Sequence, residues 1–253
     1  MKKVCMLLSL LFAGTLAAVN FPGAGGDFAS NGEDGWNGIM PSSSETAQFN
    51  QSGTYTASRD VSFASMVVQA NSTFNLHGSG NRTVTLGSFT MGYYSRSTTL
   101  NGGVYDMSLG SVSAQDTPIG IFSACNQQGT YNTVVTLAKG CIVTNASNIR
   151  IAYNTRDNKL KITDGSKVYA KGVNLSVNYG SVRGLLEVSG GSELRVLEGN
   201  FLDCGASTSD YLVLADTTNR IVVAGAGSKI VCPSTLVSND PRGFVIGNIY
   251  GKN

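Results

Sequence analysis

Chemistry in this chain has few residues to draw on. The 253 residues include a single histidine, His77, a single tryptophan and only 13% charged side chains. One imidazole, in the string Leu76-His77-Gly78-Ser79-Gly80 with no Ser/Asp partner identifiable, leaves little material for a His-based metal site or acid/base pair and reads as a turn residue. Carboxylates are the remaining route. A glycosidase needs two of them about 5–10 Å apart, and a polysaccharide lyase needs an acidic cluster for Ca²⁺ beside a Lys or Arg base. The candidates are Asp203 and Asp210, which bracket one longer turn, and Asp116 in another. Other acids fail to recur at matching positions: Asp164 aligns with Gly190, and Glu187 with Lys161 and Val222. Cys125, Cys141, Cys204 and Cys232 lie at least 16 residues apart, so no Cys-x-x-Cys metal signature exists. They are either disulfide partners, with three pairings open, or small buried apolar residues. Tyr93, Tyr94, Tyr153 and Tyr179 follow strands at matching positions, as an exposed strip that stacks on sugars or as corner-packed core. No catalytic, cofactor-binding or metal-ligating set emerges.

Charge narrows the partners. Eighteen Lys+Arg against sixteen Asp+Glu give +2, and without Lys2 and Lys3 the count is sixteen against sixteen. A near-neutral chain lacks the clustered basic face that nucleic-acid binding requires. Those two lysines open a segment with the layout of a secretory signal peptide: Lys2-Lys3, the apolar run Val4–Phe12, then the small-residue exit Ala13-Gly14-Thr15-Leu16-Ala17-Ala18. The apolar stretch is short of the ~20 residues of a bilayer span. Residues 1–18 are therefore expected to be removed after Ala17 or Ala18, leaving a secreted or cell-surface protein without a transmembrane span. Cys5 precedes the apolar run, where it cannot serve as a lipid-acceptor cysteine.

The elements that position everything else come from an internal repeat. The run Leu160-Lys161-Ile162-Thr163-Asp164-Gly165-Ser166-Lys167-Val168 returns as Leu186-Glu187-Val188-Ser189-Gly190-Gly191-Ser192-Glu193-Leu194. It returns again, with one extra residue in the turn, as Ile221-Val222-Val223-Ala224-Gly225-Ala226-Gly227-Ser228-Lys229-Ile230, and a weaker copy precedes them from Val135 to Val143. The unit is apolar-x-apolar, a turn, Gly-Ser-x-apolar, every 25 to 35 residues. Period-2 alternation within each piece predicts strands, and helical spacing is absent from the mature chain. Such strands cannot bury an inner face alone, whereas stacked coils can. The alternation sends Leu160, Ile162, Val168, Leu186, Val188 and Leu194 inward, and Lys159, Lys161, Glu187 and Arg195 to water. Gly165, Gly191 and Gly227 mark a corner needing positive φ. A further strand is read in Ile149-Arg150-Ile151, with Leu175-Ser176-Val177, Leu212-Val213-Leu214 and Val245-Ile246 as its copies. A hairpin sandwich is the competing fold; the shared register favours parallel coils.

Upstream, alternating runs (Tyr55 to Phe63, Met66-Val67-Val68, Thr73 to Leu76, Thr83 to Leu86, Phe89 to Met91) read as the first coils. Trp36, Phe49 and Tyr55 would cover the open end of the core. The expected organisation is a leader over 1–18, an N-terminal cap and first strands over 19–60, and coils over 61–253 that stop mid-repeat. The nine-residue step from Ile151 to Leu160 and from Leu212 to Ile221, applied at Ile246, runs past Asn253. An open last coil invites end-to-end self-association.

The strings Val188-Ser189-Gly190-Gly191-Ser192-Glu193-Leu194 and Val223 to Ile230 resemble the repeats of bacterial autotransporter-associated β-helix proteins, over about residues 130–253. That resemblance implies a right-handed parallel β-helix and an adhesive or structural role at a bacterial surface; no translocator barrel follows in this chain. The expected fold is all-β, a single-stranded right-handed parallel β-helix with an N-terminal cap. The expected function is that of an exported, non-catalytic surface-structural or adhesion module meeting glycans or extracellular matrix. The competing function is a carbohydrate-active β-helix enzyme, of polysaccharide lyase or glycosidase type.

Overall fold

The computed structural model describes residues 18–77, 81–91, 97–107, 132–145, 148–151, 157–175, 183–197, 202–204, 219–232 and 244–246. Among them there is no helix, and every strand pairing is parallel. The chain is a parallel β-helix. A nine-stranded sheet stacks β1 (Ala18–Asn20), β3 (Thr46–Phe49), β5 (Val61–Val68), β7 (Thr83–Thr90), β9 (Val104–Met107), β11 (Ile142–Asn145), β14 (Lys167–Ala170), β17 (Glu193–Val196) and β20 (Lys229–Val231) in that order. An eight-stranded sheet stacks β2 (Gly25–Asp27), β4 (Gly53–Thr56), β6 (Ser72–Asn75), β8 (Ser97–Asn101), β10 (Val134–Ala138), β13 (Lys159–Ile162), β16 (Leu185–Ser189) and β19 (Arg220–Ala224). A third sheet holds β12 (Asn148–Ile151), β15 (Gly172–Leu175), β18 (Leu202–Cys204) and β21 (Phe244–Ile246).

Pleat and register place the core. Side chains alternate across each strand, so in-register stacking puts like upon like. Leu160 pairs with Leu186 and then Ile221, and Ile162 with Val188 and then Val223. On the adjoining sheet Val143, Val168, Leu194 and Ile230 form the facing column. Leu160, Ile162, Val168, Leu186, Val188 and Leu194 are all buried, whereas Lys159 and Arg195 are exposed and Lys161 and Glu187 half-buried. The strands of eight residues, β5 and β7, serve two faces each. Their alternation skips a beat at Ala64-Ser65 and at Gly87-Ser88, so Phe63 and Met66 both point inward, as do Leu86 and Phe89. Gly87 is required there because a Cβ would press on the Ala64 carbonyl oxygen at 2.6 Å.

Two columns of left-handed residues turn the corners. The first runs Gly102-Gly103, Lys139-Gly140, Asp164-Gly165, Gly190-Gly191 and, around the inserted Ala226, Gly225 and Gly227, with φ between 54° and 86°. The second is Asn132, Asp157 and Arg183, with φ of 60°, 60° and 55°, each two residues before a strand of the eight-stranded sheet. No glycine marks this second corner. Just past the first corner, Cys141 stands in the column occupied in the next coils by Ser166 and Ser192, all three fully buried.

The corner glycines are not equivalent. A Cβ on Gly165 meets no atom within 4 Å, whereas one on Gly103 would run into the Leu76 side chain and lie 2.9 Å from the Arg82 carbonyl oxygen. Gly165→Ala should therefore cost only the left-handed strain, about 1–2 kcal/mol. Gly103→Ala adds overpacking against buried Leu76, a further 1–3 kcal/mol or so. Urea midpoints measure the difference, and equal losses would mean that Leu76 does not pack under that corner.

Aromatic rings pack the core of the first coils. Trp36 packs edge-on to Phe21 at 4.9 Å between centroids and lies 5.8 Å from Phe49 and 6.2 Å from Phe63. Its indole Nε1–H donates to the Phe28 carbonyl at 2.7 Å. Tyr55 stacks on Phe74 and meets Phe49, and its hydroxyl donates to the Gln51 carbonyl at 2.5 Å.

Two expectations need correction. The third-face strand recurs with a different register: Ile149 pairs with Val173, Val173 with Leu202 and Leu202 with Phe244. Leu175 therefore matches Ile151 rather than Ile149, and the third copy is Leu202-Asp203-Cys204 rather than Leu212-Val213-Leu214, which lies outside the described residues. The connection into that face varies in length, being Lys171 alone in one coil and residues 197–201 in the next, so a fixed spacing slips. The nine-residue step projected past Asn253 rested on that slipped alignment. The run Tyr55 to Phe63 is also two strands, β4 ending at Thr56 and β5 starting at Val61.

Candidate functional surfaces

The stacked faces decide where each polar group sits. Asp203 is not a loop residue: it lies within β18, in register between Asn174 and Val245. Asp210 and Asp116 fall outside the described residues, as do Cys125 and Tyr93, Tyr94, Tyr153 and Tyr179. His77 follows β6 and is exposed.

Several acids on the coils are matched with cations. Glu187 faces Lys161 of the preceding coil at 3.6 Å and takes the Ser189 hydroxyl at 3.1 Å. Asp157 and Arg183, equivalent corner residues one coil apart, form a bidentate pair at 2.6 and 2.7 Å. Glu193 accepts from Arg195 at 2.7 Å and lies 3.3 Å from Lys229 of the next coil. Asp60 accepts the Thr83 backbone N–H at 2.9 Å, a coil-to-coil tie repeated where Asn158 takes the Thr133 N–H and Asn219 the Gly184 N–H. These pairs lock neighbouring coils together. Among the described residues no three His, Cys, Asp or Glu side chains gather as a metal site.

Glu193 carries an electrostatic consequence. The Arg195 hydrogen bond outweighs the opposing push from burial and, with a smaller contribution from the Lys229 ammonium, holds the Glu193 carboxyl below the usual carboxylate pKa. A depressed folded pKa stabilises at pH values above the unfolded one, and that stabilisation is lost as pH falls through the folded value. Glu193→Gln should cost under about 1 kcal/mol at pH 7. The gap between thermal melts of the two proteins should close as pH falls through the folded-state pKa of Glu193, which lies below the ordinary carboxylate range. A gap that persists there would assign the loss to packing.

Cys141 is free and buried, and Cys232 free and half-buried. Burial pushes the Cys141 thiol far above its ordinary pKa, so it stays protonated and is a poor nucleophile. Tyr105, whose hydroxyl is buried without a partner, is raised by the same desolvation with a contribution from Cys141.

One surface escaped the sequence reading. The outer face of the eight-stranded sheet carries Thr54, Thr73, Thr99 and Thr136 in one register column. Thr56, Asn75 and Asn101 run beside it, with the Asn101 amide donating to the Asn75 side-chain oxygen at 2.7 Å. Its signal was a recurring Thr-apolar-Thr/Asn triplet, Thr54-Tyr55-Thr56, Thr73-Phe74-Asn75 and Thr99-Leu100-Asn101, whose central residue is buried in every copy.

No helix among the described residues is long and apolar enough to cross a membrane. Comparison with models of known protein families, with characterised proteins and with solved structures finds no match to this chain, so its fold is established from its own strand register.

Proposed function

We propose that the chain is an exported, non-catalytic β-solenoid of the autotransporter-passenger kind, acting as a surface-structural or adhesion module. One observation carries this reading. The coils spend their charges on neighbouring coils, as in Lys161–Glu187, Asp157–Arg183 and Glu193–Lys229, over one apolar column. That arrangement suits a rod that must stay folded while presenting polar faces. The leader reading is compatible with the start of β1 at Ala18, since cleavage after Ala17 leaves the pairing of Val19 with Ala47 intact.

Export is tested by expressing the full chain in a Gram-negative host and sequencing the N-terminus of the recovered protein. A start at Ala18 or Val19 outside the cytoplasm supports the reading; an intact Met1 in the cytoplasm overturns it. The enzymatic rival is tested by incubating the purified chain with neutral and acidic polysaccharides. Reproducible turnover that disappears in Asp203→Ala or Asp210→Ala would replace the proposal.

Self-association belongs to the same reading. Val223, which faces the core column, is 49% exposed in the last described strand of its sheet. Light scattering at rising concentration should show growth in mass, and a constant monomer mass would remove this part of the proposal.

A further inference from the structure

The threonine face deepens the surface-module reading, on which it rests, by naming a partner. We propose that the outer face of β4, β6, β8 and β10 binds an extended, neutral polysaccharide lying across the strands. Thr54, Thr73, Thr99 and Thr136 are in register from coil to coil, which spaces their hydroxyls by about 4.8 Å. That step is close to the length of one sugar residue in an extended glycan, so successive sugars meet equivalent hydroxyls. Those four hydroxyls make no protein hydrogen bond among the described residues. On the nine-stranded sheet, by contrast, Thr46 and Ser65 spend theirs on each other at 2.6 Å.

The chemistry selects among partners. No charged side chain stands in either column from β4 to β10, and the first one arrives with Lys161 on β13. An acidic glycan or a nucleic acid would need cations here. The backbone groups of these inner strands are already paired on both sides, so a peptide cannot add as a strand. The rings of Tyr55 and Phe74 point into the core, and recognition must come from hydroxyl and amide groups. A hydroxyl both donates and accepts, as do the hydroxyls of a sugar. The Asn75–Asn101 bond uses one N–H and one oxygen lone pair, leaving three amide N–H donors and the Asn101 carbonyl oxygen on that pair for the ligand. Individually weak contacts then add along the row, as in any multivalent array.

The test is retention of the purified chain on insoluble cellulose and its retardation in gels containing mannan or β-1,3-glucan, with polygalacturonate as the acidic control. Thr73→Val/Thr99→Val removes two hydroxyls while keeping side-chain shape, and Thr85→Val on the outer face of β7 serves as the control. Thermal melts verify that all three proteins are folded. The wild type should bind at least one neutral polysaccharide, and the double variant should lose about tenfold or more in affinity while Thr85→Val does not. Binding that survives in the double variant overturns this face as the site and leaves the surface-module reading standing. Binding to polygalacturonate alone, or to none, overturns the neutral-glycan inference, while the export experiment still decides the module.

Discussion

Val188→Asp should destabilise the coils by several kcal/mol, whereas Glu187→Ala, one residue away, should change stability by about 0.5 kcal/mol. Val188 is completely buried, in register between Ile162 and Val223. A carboxylate there has no cation and no donor within the apolar column. Glu187 points the other way, and loses only its contacts with Lys161 and Ser189. The effect should also depend on pH with a definite sign. Burial raises the pKa of an unpaired aspartate, so the loss is smaller near pH 4 and grows as pH rises above the unfolded-state value. Urea unfolding at two pH values measures both quantities. Equal effects of the two substitutions would contradict the inward and outward assignment.

Trp36→Ala should cost about 3–5 kcal/mol, the range for truncating a large buried aromatic. The residue is 4% exposed, touches Phe21, Phe49 and Phe63, and satisfies the Phe28 carbonyl. Trp36→Phe keeps most of the ring packing and should lose about 1–2 kcal/mol, mainly from the orphaned carbonyl. Because Trp36 is the only tryptophan, its fluorescence reports on the N-terminal end alone. A solenoid couples mainly to its nearest neighbours, so Val188→Asp should melt the C-terminal coils while the tryptophan signal stays native to higher urea. A loss below about 1 kcal/mol for Trp36→Ala would mean that the ring covers little of the core.

The parts of this fold that were legible from residue types share a cause. Burial with period 2 and positive φ both select residues directly, so Leu160, Leu186 and Ile221 announced one column, and Gly165, Gly191 and Gly227 one corner. The second corner was silent because Asn132, Asp157 and Arg183 adopt left-handed geometry without glycine. The third sheet misled because its connecting segments differ in length, and only backbone pairing settles that Val173 rather than Leu175 lies beside Ile149. Asp203 looked like a loop acid for the same reason, its flanks offering Leu202 and Cys204 as a strand too short to stand out. The threonine column went unread because its meaning depends on which strands are neighbours. Register across coils carries that information, and composition does not.

The stacking itself is most directly tested by a spin-label ruler along one outward column. Thr54, Thr73, Thr99, Thr136, Lys161, Glu187 and Val222 follow one another in register on the eight-stranded sheet. A label at Thr54→Cys is paired in turn with one at Lys161→Cys, Glu187→Cys or Val222→Cys, in a protein whose natural cysteines are replaced. Serine suits position 141, since Ser166 and Ser192 fill the same column. Electron–electron distances should rise in equal steps, from about 19 to 24 to 29 Å, one strand spacing per coil. Distances that fail to grow from Lys161 to Val222, as antiparallel hairpins folded back on each other would give, would contradict the parallel β-helix.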